Sequence, residues 1–201
     1  MLHCTVSARE LIDSVMEDVG LYQGFPRATY RSLLNETIGR LYTDVVKEEG
    51  EVACIPRDGT VSLASLPLPE GIAPLQEEDV LRIRKVDEYI HYLPPARFHL
   101  ATTLAGSFYT VKGGAILFAP TYSGHGMTLS YRIRPLPFHK DNEELTLPIS
   151  DEFVSLIRAK LRGEILKLAN EDALAAKWLA EYNAALPAFA AYCERKRRGM
   201  P

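Results

Sequence analysis

The apolar positions near the N terminus recur at three- and four-residue steps, which is the spacing of one face of an α-helix. Ser7 and Glu10 have the spacing of a capping box, in which each residue satisfies a free backbone amide at the helix start. The predicted apolar face then comprises Leu11, Ile12, Val15, Met16 and Val19. A second helix is predicted after Pro26, with Gly50 at its C-terminal end. Residues 1–50 are therefore interpreted as an N-terminal helix pair.

The chain between residues 51 and 148 has a different pattern, rich in proline, glycine and β-branched or aromatic residues. Asp58-Gly59 predicts a turn between the first two strands of this region, and Gly113-Gly114 predicts a hairpin between the fourth and fifth. We interpret residues 51–148 as an inserted antiparallel β region with long connections. Its short strands are predicted over residues 52–55, 61–66, 80–86, 108–111, 115–118 and 127–133.

A helical pattern returns in the last third of the chain. Ser150 is a candidate N-cap, and acidic residues follow it in the first turn, where the helix dipole favours negative charge. An alanine-rich helix is predicted over residues 173–191, and Pro187 is expected to kink or interrupt it. The apolar stripe of the preceding helix comprises Phe153, Ile157, Leu161, Ile165 and Leu168.

Together these elements predict an α+β fold, a helical bundle of about four helices with an inserted antiparallel β region. Residues 149–201, which hold the C-terminal helices and a basic tail, are expected to pack with residues 1–50 as one helical core. The length of 201 residues and the 47% hydrophobic content suit a folded globular chain. The longest apolar runs are too short to cross a bilayer, so no membrane contact is expected.

Candidate chemistry adds little to this picture. The sequence has no P-loop, dinucleotide-binding, nucleophile-elbow or zinc-protease motif. His91 and His99 do not have metal-ligand spacing, and His125 between two glycines is interpreted as a hairpin tip. Cys4, Cys54 and Cys193 are far apart in sequence, which favours a reducing compartment over a disulfide framework. We therefore predict no catalytic residue, no metal site and no cofactor, and hence a protein that is not an enzyme.

Two clusters of basic residues are candidate contact sites. The net charge of −3 argues against general nucleic-acid coating, but it leaves room for a local basic patch. One cluster lies at the C-terminal end and comprises Arg195, Lys196, Arg197 and Arg198. One interpretation is that this cluster contacts DNA phosphates or an acidic partner surface. The other is that it is a solvated helix end, where the helix dipole favours cations. The other cluster, Arg82, Arg84 and Lys85, lies on a predicted strand, where charge also serves to block edge-to-edge aggregation.

The C-terminal half carries a characteristic order of phrases. A hairpin ends in Leu117-Phe118-Ala119-Pro120, and a tyrosine strand at residues 129–134 ends beside Pro135. Leu147-Pro148 leads into a helix, and after an acidic break the last helix carries a late phenylalanine, Phe189. This order resembles the head-to-tail adaptor (connector, or head completion) proteins of tailed phages.

The resemblance implies a virion structural protein at the head–tail junction, made in the host cytoplasm. Such adaptors form a ring, expected to be a dodecamer, that joins the portal protein to the tail and extends the DNA channel. The implied partners are the portal protein, tail nozzle or tube proteins, further copies of the chain, and packaged DNA in passing. Residues 195–198 then become candidate portal or DNA contacts, and Arg82, Arg84 and Lys85 become candidate partner or channel contacts. Two alternatives stay open. The first is another tail-completion or baseplate protein, and the second, ranked below it, is an enzyme of unrecognised type.

Overall fold

The computed structural model describes residues 4–20, 24–86, 88–119, 124 and 126–199. The chain divides into two compact units. The first, called the helical unit, comprises Met1–Lys47 and Pro137–Pro201. The second, called the sheet unit, comprises Glu48–Leu136. His125, interpreted as a hairpin tip, and Pro120, which ends the predicted hairpin phrase, lie outside the described residues.

The helical unit contains four α-helices and a π-helical turn within the described residues. Ser7 begins α1 with the predicted capping box: its hydroxyl accepts from the Glu10 amide, and its own amide donates to Glu10 Oε2 at 2.8 Å. The predicted apolar face of α1 is buried, apart from Met16, which is half-buried. The elements are α1 (Ala8–Val19), α2 (Arg27–Leu41), the π-helical turn (Tyr42–Val46), α3 (Val154–Leu168) and α4 (Asp172–Arg197).

The core of the helical unit is formed by α1, α2, α3 and the C-terminal half of α4, where Phe189 and Cys193 are buried. The predicted stripe of α3 is largely buried, but Phe153 is half-buried and Leu168 is 52% exposed. Phe153 instead packs against Phe189, with ring centroids 4.9 Å apart. Among the residues that are at most 1% exposed are Leu11, Ile12, Leu34, Leu147, Ile157, Leu161 and Phe189.

The expected helix end at Gly50 and the expected interruption of the last helix at Pro187 are both wrong. Gly50 does not end the second helix; Lys47 caps the π-helical turn in the left-handed region, with φ 47°, and Gly50 lies in a strand. Pro187 does not interrupt α4, which runs unbroken from Asp172 to Arg197. Because proline has no backbone N–H, the carbonyl of Asn183 has no helical hydrogen-bond donor. Both Asn183 and Pro187 are exposed, so water can bind that carbonyl.

The sheet unit is built on one seven-stranded sheet with the order β1-β7-β3-β4-β5-β6-β2. All neighbouring strands are antiparallel except β4 and β5, which are parallel and place His91 opposite Phe108. The apolar side chains of Ile83, Ile116 and Leu129 are fully buried, so the sheet has its own core. The strands are β1 (Glu49–Cys54), β2 (Thr60–Ser62), β3 (Val80–Lys85), β4 (Glu88–Tyr92), β5 (Phe108–Lys112), β6 (Ala115–Ala119) and β7 (Met127–Arg132).

The predicted fold class, a helical bundle of about four helices with an inserted antiparallel β region, is therefore wrong. The β part is a seven-stranded mixed sheet that makes a compact unit of its own, not an appendage of a helical bundle. The parallel pair arises because a 3-10 helix at Pro95–Thr102 carries the chain between β4 and β5. A parallel neighbour requires such a crossover, whereas a tight turn can only give an antiparallel one.

The two glycine-containing turns have different outcomes. Gly113 and Gly114 have φ values of 63° and 73° and join β5 to β6, so the predicted hairpin is confirmed. Asp58 and Gly59 also form a tight turn, with φ values of 49° and 73°. This turn does not create a hairpin of β1 and β2, because β1 pairs with β7 and β2 pairs with β6.

Candidate protein-interaction site

The basic end of α4, residues 195–198, is exposed on all four side chains. Glu194 pairs with two of them: its carboxylate oxygens lie 2.7 Å from Arg197 Nη2 and 2.6 Å from Arg198 Nη2. The hydrogen bond from Arg198, followed by the charges of Arg197 and Arg198, lowers the pKa of Glu194 below its ordinary value. Only two of the four cations pair with this carboxylate, which leaves the basic end with an excess of positive charge.

The other two cations of the basic end have weaker internal contacts. Lys196 Nζ lies 5.8 Å from the ring centroid of Tyr192. Arg195 forms no ion pair with any residue that the structure describes. An exposed guanidinium without a carboxylate partner is free to contact another surface, so the structure presents Arg195 as the most available of the four predicted site residues.

The outward side of α4 is exposed and carries six alanines at helical spacing. Of its 26 residues, only Ala175, Phe189 and Cys193 are buried. At the ordinary helical rise, a helix of this length extends about 39 Å. Small side chains let another helix or sheet approach closely, because the interaxial distance depends on the side chains at the contact. The exposed alanines at helical spacing are Ala173, Ala176, Ala180, Ala184, Ala188 and Ala191.

The strand arginines are paired within the sheet unit. Arg82 Nη2 lies 3.4 Å from Glu49 Oε2, and Arg84 Nη2 lies 3.0 Å from Glu51 Oε2. Ser130 on the intervening strand β7 joins the network by accepting from Arg82 Nε at 3.2 Å. Arg82 and Arg84 are therefore balanced by two carboxylates on β1 and do not form a positive patch. Lys85, the third predicted residue, ends β3 and is half-buried.

A groove of about 450 Å³ opens on the sheet unit. Tyr92 and Tyr109 line it with ring centroids 5.5 Å apart; Tyr109 is buried, and Tyr92 is 52% exposed. Glu77 and Glu78 lie on the same groove, and no lysine, arginine or histidine is among the described lining residues. The aliphatic part of the lining comprises Val80, Leu81, Pro95 and Val111. We call this feature the acidic groove.

The carboxylates of the acidic groove have no cationic partner in the described part of the chain. Glu77 Oε1 accepts the amide of Gly114 at 3.0 Å, and Glu78 is exposed without a hydrogen bond or ion pair there. Glu77 and Glu78 are exposed members of the charge run Glu77-Glu78-Asp79. The third member, Asp79, is only 1% exposed, and Arg134 Nη2 lies 2.5 Å from its carboxylate.

The structure assembles no catalytic group from the histidines and cysteines that it describes. His91 and His99 are exposed in the sheet unit, and His139 is exposed in the helical unit. Burial, followed by a hydrogen bond with Asp151, raises the pKa of Cys4 to about 11, and burial raises that of Cys54 to about 11, so both thiols are protonated at neutral pH. Within residues 4–20, 24–86, 88–119, 124 and 126–199 there is no group of three or more side chains suited to hold a metal. No helix in these ranges is long and apolar enough to span a membrane.

A comparison with protein families decides the identity of the chain. The family model described as SU10 adaptor protein matches residues 6–200, which is nearly the whole sequence. The chain belongs to the SU10 adaptor protein family. It is therefore a phage adaptor, a structural component of the virion, and the resemblance to phage head-to-tail adaptors is confirmed. No curated protein matches the chain.

The sequence did not point to the acidic groove of this adaptor. Its lining comes from a charge run, from β3, from β5 and from β4, a strand that was not predicted. The segment Glu88–Tyr92 did carry a signal, because Tyr89, Ile90 and Tyr92 are all residues that favour strands. The joining of residues 77–81, 92–95 and 109–111 into one groove depends on the parallel pairing of β4 with β5, which no local pattern indicates.

Proposed function

We propose that this adaptor forms a ring at the head–tail junction, where it joins the portal protein to the tail and extends the DNA channel. The observation that carries the proposal is the family match over residues 6–200. Tail nozzle or tube proteins are the proposed partners on the far side of the ring. Packaged DNA passes through the channel without being a specific ligand, which agrees with the net charge of −3.

The ring is proposed to be a dodecamer of identical chains. A closed ring needs a heterologous interface, in which one surface of each copy meets a different surface of the next. The outward side of α4 is well suited to one half of that interface, since it is long, exposed and lined by alanines. Helices that face a neighbour through alanine lose little side-chain freedom on packing, which lowers the entropic cost of assembly.

The two basic clusters have different roles in this proposal. The basic end of α4 is proposed to bind an acidic surface, and the portal, the DNA and a neighbouring copy are the available choices. Arg82, Arg84 and Lys85 are proposed to make polar contacts with a partner. Because Glu49 and Glu51 already neutralise Arg82 and Arg84, that contact is not expected to depend on net positive charge.

Electron microscopy of the purified chain mixed with its portal tests the proposal. We expect rings on one end of the portal, and in a particle reconstruction we expect the chain's density directly beneath the portal. Ala180→Arg together with Ala184→Arg should block ring formation, since two large charged side chains would then stand on the outward side of α4. Ala64→Arg, an exposed alanine in the sheet unit, is the matched control. Density in the tail tip or baseplate, with none at the junction, would refute the proposal.

A further inference from the structure

The acidic groove has the chemistry of a site for a basic side chain. An arginine or lysine binds most strongly where a carboxylate and the face of an aromatic ring are both within reach. The groove supplies two carboxylates, Glu77 and Glu78, and the tilted pair of Tyr92 and Tyr109. Its aliphatic lining can also cover the methylene stems of long basic side chains.

Exposure of the acidic groove gives a second argument for an interaction. Tyr92 is 52% exposed although its ring packs on the buried Tyr109, so half of a large aromatic surface remains available. Tyrosine is one of the residue types enriched among the side chains that contribute most of the binding energy in protein interfaces. Glu78 has no partner within the described chain, so an incoming cation would meet a carboxylate that no internal contact competes for.

The same chain carries a complementary surface. Within the basic end of α4, Glu194 offsets part of the charge of Arg197 and Arg198, while Arg195 has no carboxylate partner among the described residues. An excess of positive charge at one place and of negative charge with aromatic rings at another fits a contact between two copies. Such complementarity sets partner orientation and register more than affinity.

We propose that the basic end of α4 in one copy docks into the acidic groove of the next copy. The proposal rests on the ring proposed above as the function, and it names the two different surfaces that a heterologous interface requires. Arg195 meets Glu78, and the aromatic pair receives a second basic side chain of the turn. The favoured ligand of the basic end is thus a neighbouring adaptor chain and not DNA or the portal.

Photo-crosslinking identifies what occupies the groove. Benzoylphenylalanine placed at Tyr92 keeps an aromatic side chain in the groove, and rings are assembled from equal parts of ¹⁵N-labelled and unlabelled full-length chains. We expect crosslinks from this position to a peptide containing residues 195–198, with labelled and unlabelled chains joined in about half of them, as random mixing requires. Crosslinks confined to chains of one label would show an intrachain contact and overturn the proposal. Crosslinks only to the portal, or to other residues of the adaptor, would overturn it as well.

Charge reversal gives an independent measurement. Glu78→Lys and Arg195→Glu should each raise the concentration needed for half-maximal ring assembly about tenfold, and the double variant should recover most of the loss. The matched controls are Glu70→Lys and Lys140→Glu, which reverse exposed charges elsewhere in the same two units. Each control should change the concentration needed for half-maximal ring assembly less than twofold. Unchanged circular dichroism would establish that the variants fold.

These outcomes separate the inference from the proposed function. If wild-type rings form and both single reversals assemble normally, the docking contact is wrong and the ring stands. If Arg195→Glu alone weakens assembly and Glu78→Lys does not, the basic end binds something other than the groove, and the inference fails. If the wild-type chain forms no ring with its portal, both proposals fall together.

Discussion

The buried carboxylate of Glu143 is held by Arg27, whose Nε lies 2.6 Å from Oε2. Arg31 Nε lies 2.5 Å from the other oxygen, so the carboxylate is bound on both sides by guanidinium groups of α2. Arg27 also pairs with Asp13 on α1, and the amide of Arg9 donates to the Glu143 carbonyl at 2.8 Å. One residue of the segment before α3 therefore connects the first two helices.

Replacing Glu143 by glutamine should destabilise the protein by about 2–3 kcal/mol, because the partly buried guanidinium of Arg31 loses its carboxylate partner and that of Arg27 keeps only Asp13. The measurement is urea unfolding followed by circular dichroism at pH 7. Glu144→Gln is the matched control, since Glu144 pairs with Arg9 on the surface, where side chains are 66% and 51% exposed. That control should cost less than about 0.5 kcal/mol. Equal losses for the two variants would contradict the central position of Glu143.

The same network predicts a pH dependence. Burial acts to raise the pKa of Glu143, but the hydrogen bonds and charges of Arg27 and Arg31 outweigh it and hold the pKa below its ordinary value. A carboxylate with a lowered folded-state pKa contributes stability that is fully present above its unfolded pKa, about 4.3. This contribution is lost as the pH falls through the lower, folded-state value.

The expected result is that the difference in unfolding free energy between wild type and Glu143→Gln stays constant from about pH 7 to about pH 5 and narrows below about pH 4. Acid titrations of both proteins at fixed urea give this difference directly. Glu144→Gln should follow the wild-type profile throughout. If the difference in unfolding free energy between wild type and Glu143→Gln is the same at the lowest pH where both proteins fold, packing and not charge is responsible for the lower stability of the variant.

Gly50→Ala should destabilise the sheet unit by about 1–3 kcal/mol, because overpacking forces either a ring or a backbone to move. A Cβ atom at Gly50 would lie 2.6 Å from Cζ of Tyr131, a ring that is only 1% exposed. Gly39→Ala is the control, since nothing lies within 4 Å of a Cβ there. In the exposed interior of α2 that substitution should stabilise by up to about 1 kcal/mol. Thermal unfolding of the two variants tests both signs.

Gly50 also shows which kind of feature could not be predicted from the sequence. Its position after a helical pattern predicted a cap, but its reason is the ring of Tyr131, which is 81 residues away along the chain and opposite it in the β1–β7 ladder. Features set by neighbouring residues were predictable: the capping box of Ser7 with Glu10, and the hairpin at Gly113-Gly114. Features set by distant partners were not, including the parallel pairing of β4 and β5.

The features of the candidate site also divide into those that the sequence predicts and those that depend on distant partners. The cations at residues 195–198 and on β3 are visible in the sequence, but which of them is available depends on their partners in space. Glu49 and Glu51 neutralise Arg82 and Arg84 from a strand more than 30 positions earlier in the chain. Glu194, by contrast, is adjacent to the basic end, so its partial neutralisation of Arg197 and Arg198 follows from helical spacing.

Gly163 permits the close approach of α3 and α4, and it gives the last prediction. A Cβ atom there would lie 2.7 Å from Cγ and Cδ2 of Leu179 and 3.3 Å from its backbone nitrogen. The leucine tip can rotate away, but the backbone contact persists, so α4 must shift outward by a few tenths of an ångström. Gly163→Ala should therefore loosen α4 selectively.

The measurement is hydrogen exchange resolved by peptide. Amides of α4 should exchange faster in Gly163→Ala, while those of the sheet unit keep their wild-type rates, because local opening depends on local contacts. Ring assembly should also weaken in the Gly163→Ala variant if the outward side of α4 forms the subunit interface. Gly39→Ala, in α2, should leave exchange of α4 unchanged. Uniformly faster exchange across both units would instead show that the contact between α3 and α4 supports the whole chain.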